Sequence, residues 1–284
     1  MTDNNKVTIA LGMLGGLCNR MNAILSAIAL IDRYRGGYKV DVYWGRHEEC
    51  GAHFDELFQP IHCEGLSVNR VKSISVAHSR KRNLYLPDLV RKFVFDASFH
   101  CRDTRDKDFE TMMRGKRKVF IYAYNNFCPY IIDRSLARYF RPVEAIERRI
   151  KETTDLFAPH TIGVHIRRTD HKDAIKDSPT ELFLHRMDEE IARDGDCKFY
   201  IATDDEQLKH LIADRYGKRI ITCDRELSRH TVSGMQDAVA ELYCLGRTSE
   251  ILGSAFSTYS IDAAALYDIP LHVLTTKNQS PRGA

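Results

Sequence analysis

Read for the spacing of its apolar positions, the second half of the chain alternates runs of strand length with stretches in which apolar residues return every three or four positions. Strands are expected at 161–167, 198–203, 219–223, 250–253 and 271–274. Helices are expected between them at 180–193, 205–216, 234–245 and 257–267, and Ser257 or Thr258 stands where the last helix needs a cap. Strict alternation of the two implies parallel strands joined by right-handed crossovers, with ligands taken at the carboxyl ends of the strands.

The first half opens in the same way, with a strand at 7–13, a Gly-rich turn, a helix at about 19–34 and a second strand at 39–44. The pattern then loosens through a basic and polar stretch at about 78–118 before a further strand at 119–124. Pro142 suits the start of a helix over 143–154, which marks the passage between halves. The expected architecture is therefore α/β, with two doubly wound Rossmann-like domains, 1–142 and 143–284, facing each other across a cleft.

At 284 residues the chain can build two cores of ordinary size. Its 42 Lys and Arg nearly balance 39 Asp and Glu, and a net charge of +3 argues against a nucleic-acid partner. Basic clusters at 80–82 and 116–118 read as solvated loops or as contacts for an anionic membrane surface or substrate. No signal peptide is expected, and no run reaches the roughly 18 to 20 apolar residues of a membrane helix. Eight cysteines without a CxxC pair or a nearby histidine cluster suit neither zinc nor a disulfide framework, and are expected to be reduced thiols in a cytoplasmic protein.

Four features carry chemistry. The run GVHIRRTD at 163–170 starts in a buried strand and ends in charge that cannot stay unpaired there. Strand alternation sends His165 and Arg167 to one face, where a diphosphate suits their donors, and Arg168 to the other, where it can anchor the loop. An interdomain salt-bridge cluster is the plainer alternative. In GGLCNR at 15–20, Gly16 and Asn19 sit at a turn into a helix, where backbone amides favour an anion or a sugar hydroxyl. The strand FYIATDD at 199–205 ends in Asp204 and Asp205, which can hold a metal or move a proton, or of which one can simply cap the next helix. Finally, Glu241 could accept two donors of a guanine edge, and the hydroxyl-rich turn at Ser257 and Thr258 offers its amides to a phosphate.

In this order the four features resemble the fucosyltransferase superfamily that includes the rhizobial nodulation-factor fucosyltransferase, the core α-1,6-fucosyltransferases and the protein O-fucosyltransferases. HIRRTD at 165–170 is similar to the family's His-x-Arg-Arg-Thr-Asp motif, YIATDD at 200–205 to its second block and GSAFST at 253–258 to its third. The resemblance covers the second half and, in the first, only 15–20. It implies a GT-B fold, GDP-fucose as donor, a glycan or glycoconjugate hydroxyl as acceptor, inversion at the anomeric carbon, and no cofactor or metal. By position Arg167 would bind the β-phosphate and stabilise the leaving group. His165 and Glu241 fall where the family holds the nucleotide, with aspartate the usual residue at the second position. Ser257 and Thr258 fall on the turn that meets the diphosphate, and Asn19 on the loop near the donor. Gly16, Arg168, Asp204 and Asp205 complete the expected donor-binding set.

The core enzymes carry a glutamate in the loop after the arginine motif. Here that position falls at about Ile175, and His171 replaces the family lysine. Asp170 and Asp173 are the nearest carboxylates, so one of them is the expected base. Acceptor contacts are expected from 65–117. A transferase using another GDP-sugar and a catalytically silent nucleotide- or glycan-binding module stay open as alternatives.

Overall fold

The computed structural model describes residues 6–71, 92–130, 136–168, 172–223, 226 and 228–276. The chain divides into two compact units, Met1–Val143 with Ser228–Met235, and Glu144–Leu227 with Gln236–Ala284.

The first unit is built on a parallel five-stranded sheet of β1 (Val7–Met13), β2 (Tyr38–Trp44), β3 (Leu66–Arg70), β4 (Ala97–His100) and β5 (Lys118–Ala123), in the order β3-β2-β1-β5-β4. β1 is central, paired on both sides, and its near-continuous apolar run is what a strand covered on both faces requires. Helix α1 (Leu17–Arg33) crosses from β1 to β2. Its buried Ser26 hydroxyl accepts the Phe127 and Cys128 amides at 3.1 Å each, which pins the loop after β5. The stretch at 78–118 that showed no clear pattern contains β4 and the short helices α2 (Cys101–Asp106) and α3 (Phe109–Met113). β3 and β4 are half-buried edge strands, and an edge imposes no clean apolar alternation. The basic cluster at 80–82 lies outside the described residues.

A short helix, α4 (Leu136–Tyr139), ends the first unit, and α5 (Glu144–Thr154) opens the second. Pro142 stands outside α5: it bridges to Phe58, and its carbonyl accepts from the Gln59 side chain at 3.0 Å. The second sheet comprises β6 (Thr161–Ile166), β7 (Lys198–Thr203), β8 (Ile220–Ile221), β9 (Glu250–Ser254) and β10 (Leu271–Leu274), all parallel, in the order β10-β9-β6-β7-β8. Four longer crossover helices accompany it: α7 (Thr180–Arg193), α8 (Glu206–Tyr216), α9 (Val232–Gly246) and α10 (Thr258–Tyr267); α6 (Lys172–Asp177) is a single short turn before α7.

Ile162, Val164 and Ile166 alternate onto one face of this sheet, where they pack with Phe183 and Met187 of α7 and Leu208 and Ile212 of α8. The opposite face is approached closely by the turn after α9 and by α10. A Cβ added at Gly163 would meet Thr248 Oγ1 at 2.8 Å, and one at Gly253 would meet Ser260 Cβ at 2.9 Å. The chain reverses its direction of travel across the sheet between β6 and β9, so the crevice at their carboxyl ends is the switch point where doubly wound sheets take ligands. No helix among the described residues is long and apolar enough to cross a membrane. All eight cysteines are free thiols.

Candidate functional site

Of the residues that the sequence singles out, His165, Arg167, Ser257 and Thr258 come together at the crevice at the end of β6 and β9. His165 is buried on the face toward α10, and its Nδ1 lies 2.7 Å from Ser260 Oγ and 3.4 Å from Ser257 Oγ. Two hydroxyls on one ring nitrogen fix the plane of the imidazole. The Arg167 amide donates to Ser254 Oγ at 3.1 Å, and that hydroxyl in turn reaches the His165 carbonyl at 3.3 Å. Buried Ser254 thereby holds the end of β6 against the end of β9. Ser257 caps α10, accepting from the Ser260 amide, and Thr258 is the first residue of the helix. The positive end of the α10 dipole therefore faces the crevice. Between the strand and the cap stands Phe256 in left-handed backbone conformation, φ 56°, and exposed.

Arg168 points the other way. Its guanidinium donates to Thr180 Oγ1 at 3.1 Å, to the Arg167 carbonyl at 2.8 Å and to the Ser178 carbonyl at 2.9 Å, and it lies over the Phe183 ring. Burial draws its pKa down, and Asp204 beside it opposes that shift. Asp204 accepts the Arg168 amide at 2.6 Å, while Asp205 caps α8 by accepting the Leu208 amide at 3.1 Å. Both carboxylates are thus engaged in holding strand ends and a helix start. Among the described residues His160, Glu190 and Glu250 form a group of metal-ligand type, but at the amino edge of this sheet, away from the crevice. There Glu190 pairs with Arg186 and Arg193, Glu250 with His272, and His160 with Asp194, whose carboxyl it holds below the usual range.

Glu241 lies on α9, half-buried, with Tyr259 Oη 3.4 Å from its Oε2. Asp173 is exposed on α6. Asp170 lies outside the described residues.

In the first unit, Gly16 is the N-cap of α1, so the helix starts two residues before the expected position and Asn19 falls within its first turn. Gly15 before it has φ 81°, a conformation suited to glycine, and a Cβ there would sit 3.0 Å from the Asn19 side chain. Its amide donates to Glu49 Oε2 at 3.2 Å. Arg20 is wholly buried: Nε donates to the Gly15 carbonyl at 2.9 Å, Nη1 to the Gly45 carbonyl at 2.8 Å, and Nη2 meets His47 Nε2. The guanidinium lies over Trp44, so Arg20 joins the loops that follow β1 and β2. Nearby after β5, Tyr124 Oη and Asn126 Oδ1 are buried atoms with no hydrogen-bond partner among the described residues.

Solved structures place this architecture among known ones. Over 97% of both chains it matches NodZ α-1,6-fucosyltransferase soaked with GDP-fucose, with a TM-score of 0.61 and 16% identity. POFUT1 in complex with GDP-fucose matches over 96% of this chain and 98% of its own, with a TM-score of 0.57 and 14% identity. The chain has the fold of these fucosyltransferases. Another NodZ structure, from Bradyrhizobium, agrees over 91% of this chain and 93% of its own, with a TM-score of 0.59 and 15% identity. The likeness is one of fold. No protein-family model matches the sequence, and no curated protein matches it.

Within this fucosyltransferase fold several residues that build the crevice carried no signal in the sequence. Ser178 is fully buried, and its hydroxyl accepts the Ala255 amide at 2.9 Å and donates to the Leu274 carbonyl at 2.5 Å. Ser260 and Tyr259 are others, while Ser254 lies inside the 253–258 block without being singled out there. For Ser254 a small polar residue inside an apolar run was the one available hint, because a buried hydroxyl must find a partner.

Proposed function

We propose that the chain is an inverting fucosyltransferase that moves fucose from GDP-fucose to a hydroxyl of a glycan or glycoconjugate, without a resident metal or cofactor. The observation that carries this reading is the convergence of His165, Arg167 and the turn at 254–258 on the switch point of a fold shared with enzymes solved with GDP-fucose. In this reading the donor diphosphate lies against the first turn of α10 and the Arg167 guanidinium. When the glycosidic bond breaks, its electron pair passes to the β-phosphate oxygen, and Arg167 stabilises the charge that builds there. The acceptor oxygen attacks the opposite face of the sugar, which inverts the centre, and Asp170 or Asp173 takes its proton. His165 holds the nucleotide, and Glu241 accepts guanine N1–H and the 2-amino group.

Ile175, at the position where core enzymes carry glutamate, favours a second reading, a module that binds the nucleotide without turnover. One assay separates the two. Release of GDP from GDP-fucose is followed for wild type and Arg167→Ala across a panel of glycan acceptors. Loss of one preorganised donor to the developing charge should lower kcat by about 10²- to 10³-fold. The backbone contact with Ser254 survives the substitution, so the fold should be kept. Full activity in Arg167→Ala would refute the mechanism, and GDP binding with no release on any acceptor would favour the module. A chelator should leave the rate unchanged, and strong inhibition would show that a metal takes part.

A further inference from the structure

Tyr259 lies in the first turn of α10, but its side chain reaches α9. The phenol Oη donates to the Ala238 carbonyl at 2.6 Å and lies 3.4 Å from Glu241 Oε2. Ala238 and Glu241 are three positions apart and so share one face of that helix. On its other side the ring lies against the His165 imidazole, with centroids 5.0 Å apart and planes inclined at 35°. One half-buried side chain therefore touches both the group read as holding the base and a group at the phosphate end of the crevice.

The geometry points to Tyr259 as the positioning residue that aims Glu241 at the base and so sets the preference for guanine nucleotides. This rests on the reading of the crevice as a GDP-sugar site. A glutamate on a helix surface has three side-chain torsions and several staggered arrangements of similar energy. Two-point recognition of N1–H and the 2-amino group works only in those that present the carboxylate squarely, so an unrestrained side chain loses part of the second hydrogen bond to disorder. The phenol is tied to a main-chain carbonyl of α9, which does not move with the Glu241 side chain. The phenol proton is shared, mainly with that carbonyl and at longer range with Glu241 Oε2, so the carboxylate is drawn toward a fixed donor, and the His165 ring behind it stops the tyrosine from swinging away.

Calorimetric titration of GDP and of inosine diphosphate, which lacks only the 2-amino group, tests this on wild type, Tyr259→Phe, Glu241→Gln and the double variant. Wild type should prefer GDP by about tenfold or more, the scale of one hydrogen bond to a charged group. Tyr259→Phe should cut that preference to about threefold or less while affinity for inosine diphosphate stays within about twofold. Donor KM should rise with kcat nearly unchanged, and the double variant should lose no more than Glu241→Gln alone, because both changes remove one interaction. Full guanine preference in Tyr259→Phe would overturn the proposal, as would an equal loss of both nucleotides, which marks a structural role. A wild-type chain that binds neither nucleotide would fail the GDP-sugar reading itself, and this proposal with it.

Discussion

Two adjacent arginines end in different environments because the two-residue period of β6 continues past Ile166. The Arg167 amide is held by Ser254 at the crevice, and the Arg168 side chain turns toward α7, where three directed hydrogen bonds and the Phe183 ring receive it. Arg168→Ala should lower stability by about 2–4 kcal/mol, because it strands the Ser178 and Arg167 carbonyls and opens the loop. Arg168→Lys should recover little, since an ammonium cannot reproduce a planar fork. Urea denaturation measures both, and an alanine variant within about 0.5 kcal/mol of wild type would contradict the anchor. At this scale the sequence shows which residue types cluster, and the alternation points Arg168 to the face on which its guanidinium is found. It does not show Ser178, nor what Ser254 does inside the 253–258 block, because serine is common and their partners lie far along the chain, 77 residues away for Ala255 and 87 for Arg167.

Most of the legible elements are buried on both faces or along a full helical stripe, and the exposed edge strand β10 is the exception. β1, β7, β10 and α7 run over the residues that their periodicity marks, whereas β8 shrinks to Ile220–Ile221 and the edge strands β3 and β4 gave no pattern to read. How closely two elements approach is set by single side chains, and Gly253 is the instance that matters for the crevice. Gly253→Ala would press a methyl into Ser260 and Leu271 at 2.9 Å, displacing the residue that orients His165. The variant should lose about 1–3 kcal/mol of stability and bind GDP more weakly. Gly195→Ala is the control, with nothing within 4 Å of the added atom, and should lie within about 0.5 kcal/mol of wild type. Thermal melts and GDP titration of the two proteins check this, and a Gly253→Ala variant matching the control in both would show that the close approach is dispensable.

For the molecule as a whole, the alternation of strands and helices was enough to read a doubly wound α/β chain, because parallel sheets admit few connections. It was not enough to read the sheet orders. Both sheets place their first strand in the centre, yet the first unit continues β1-β5-β4 and the second β6-β9-β10. Nor does composition mark the excursion by which Ser228–Met235 joins the first unit, where the Gly51 amide donates to the Arg229 carbonyl at 2.7 Å. The fold carries many chemistries, so the function lies in the crevice rather than in the architecture. The central claim is that this crevice holds a guanine nucleotide sugar, and the most direct measurement is the thermal stability of the purified chain with GDP, GDP-fucose, GDP-mannose, UDP and ADP. A ligand that binds only the native state at a hundred times its Kd stabilises it by about 2.7 kcal/mol, which appears as a rise of a few degrees in Tm. That rise is expected for GDP and GDP-fucose and none for UDP or ADP. An unchanged Tm with every nucleotide, or an equal rise with all of them, would contradict it.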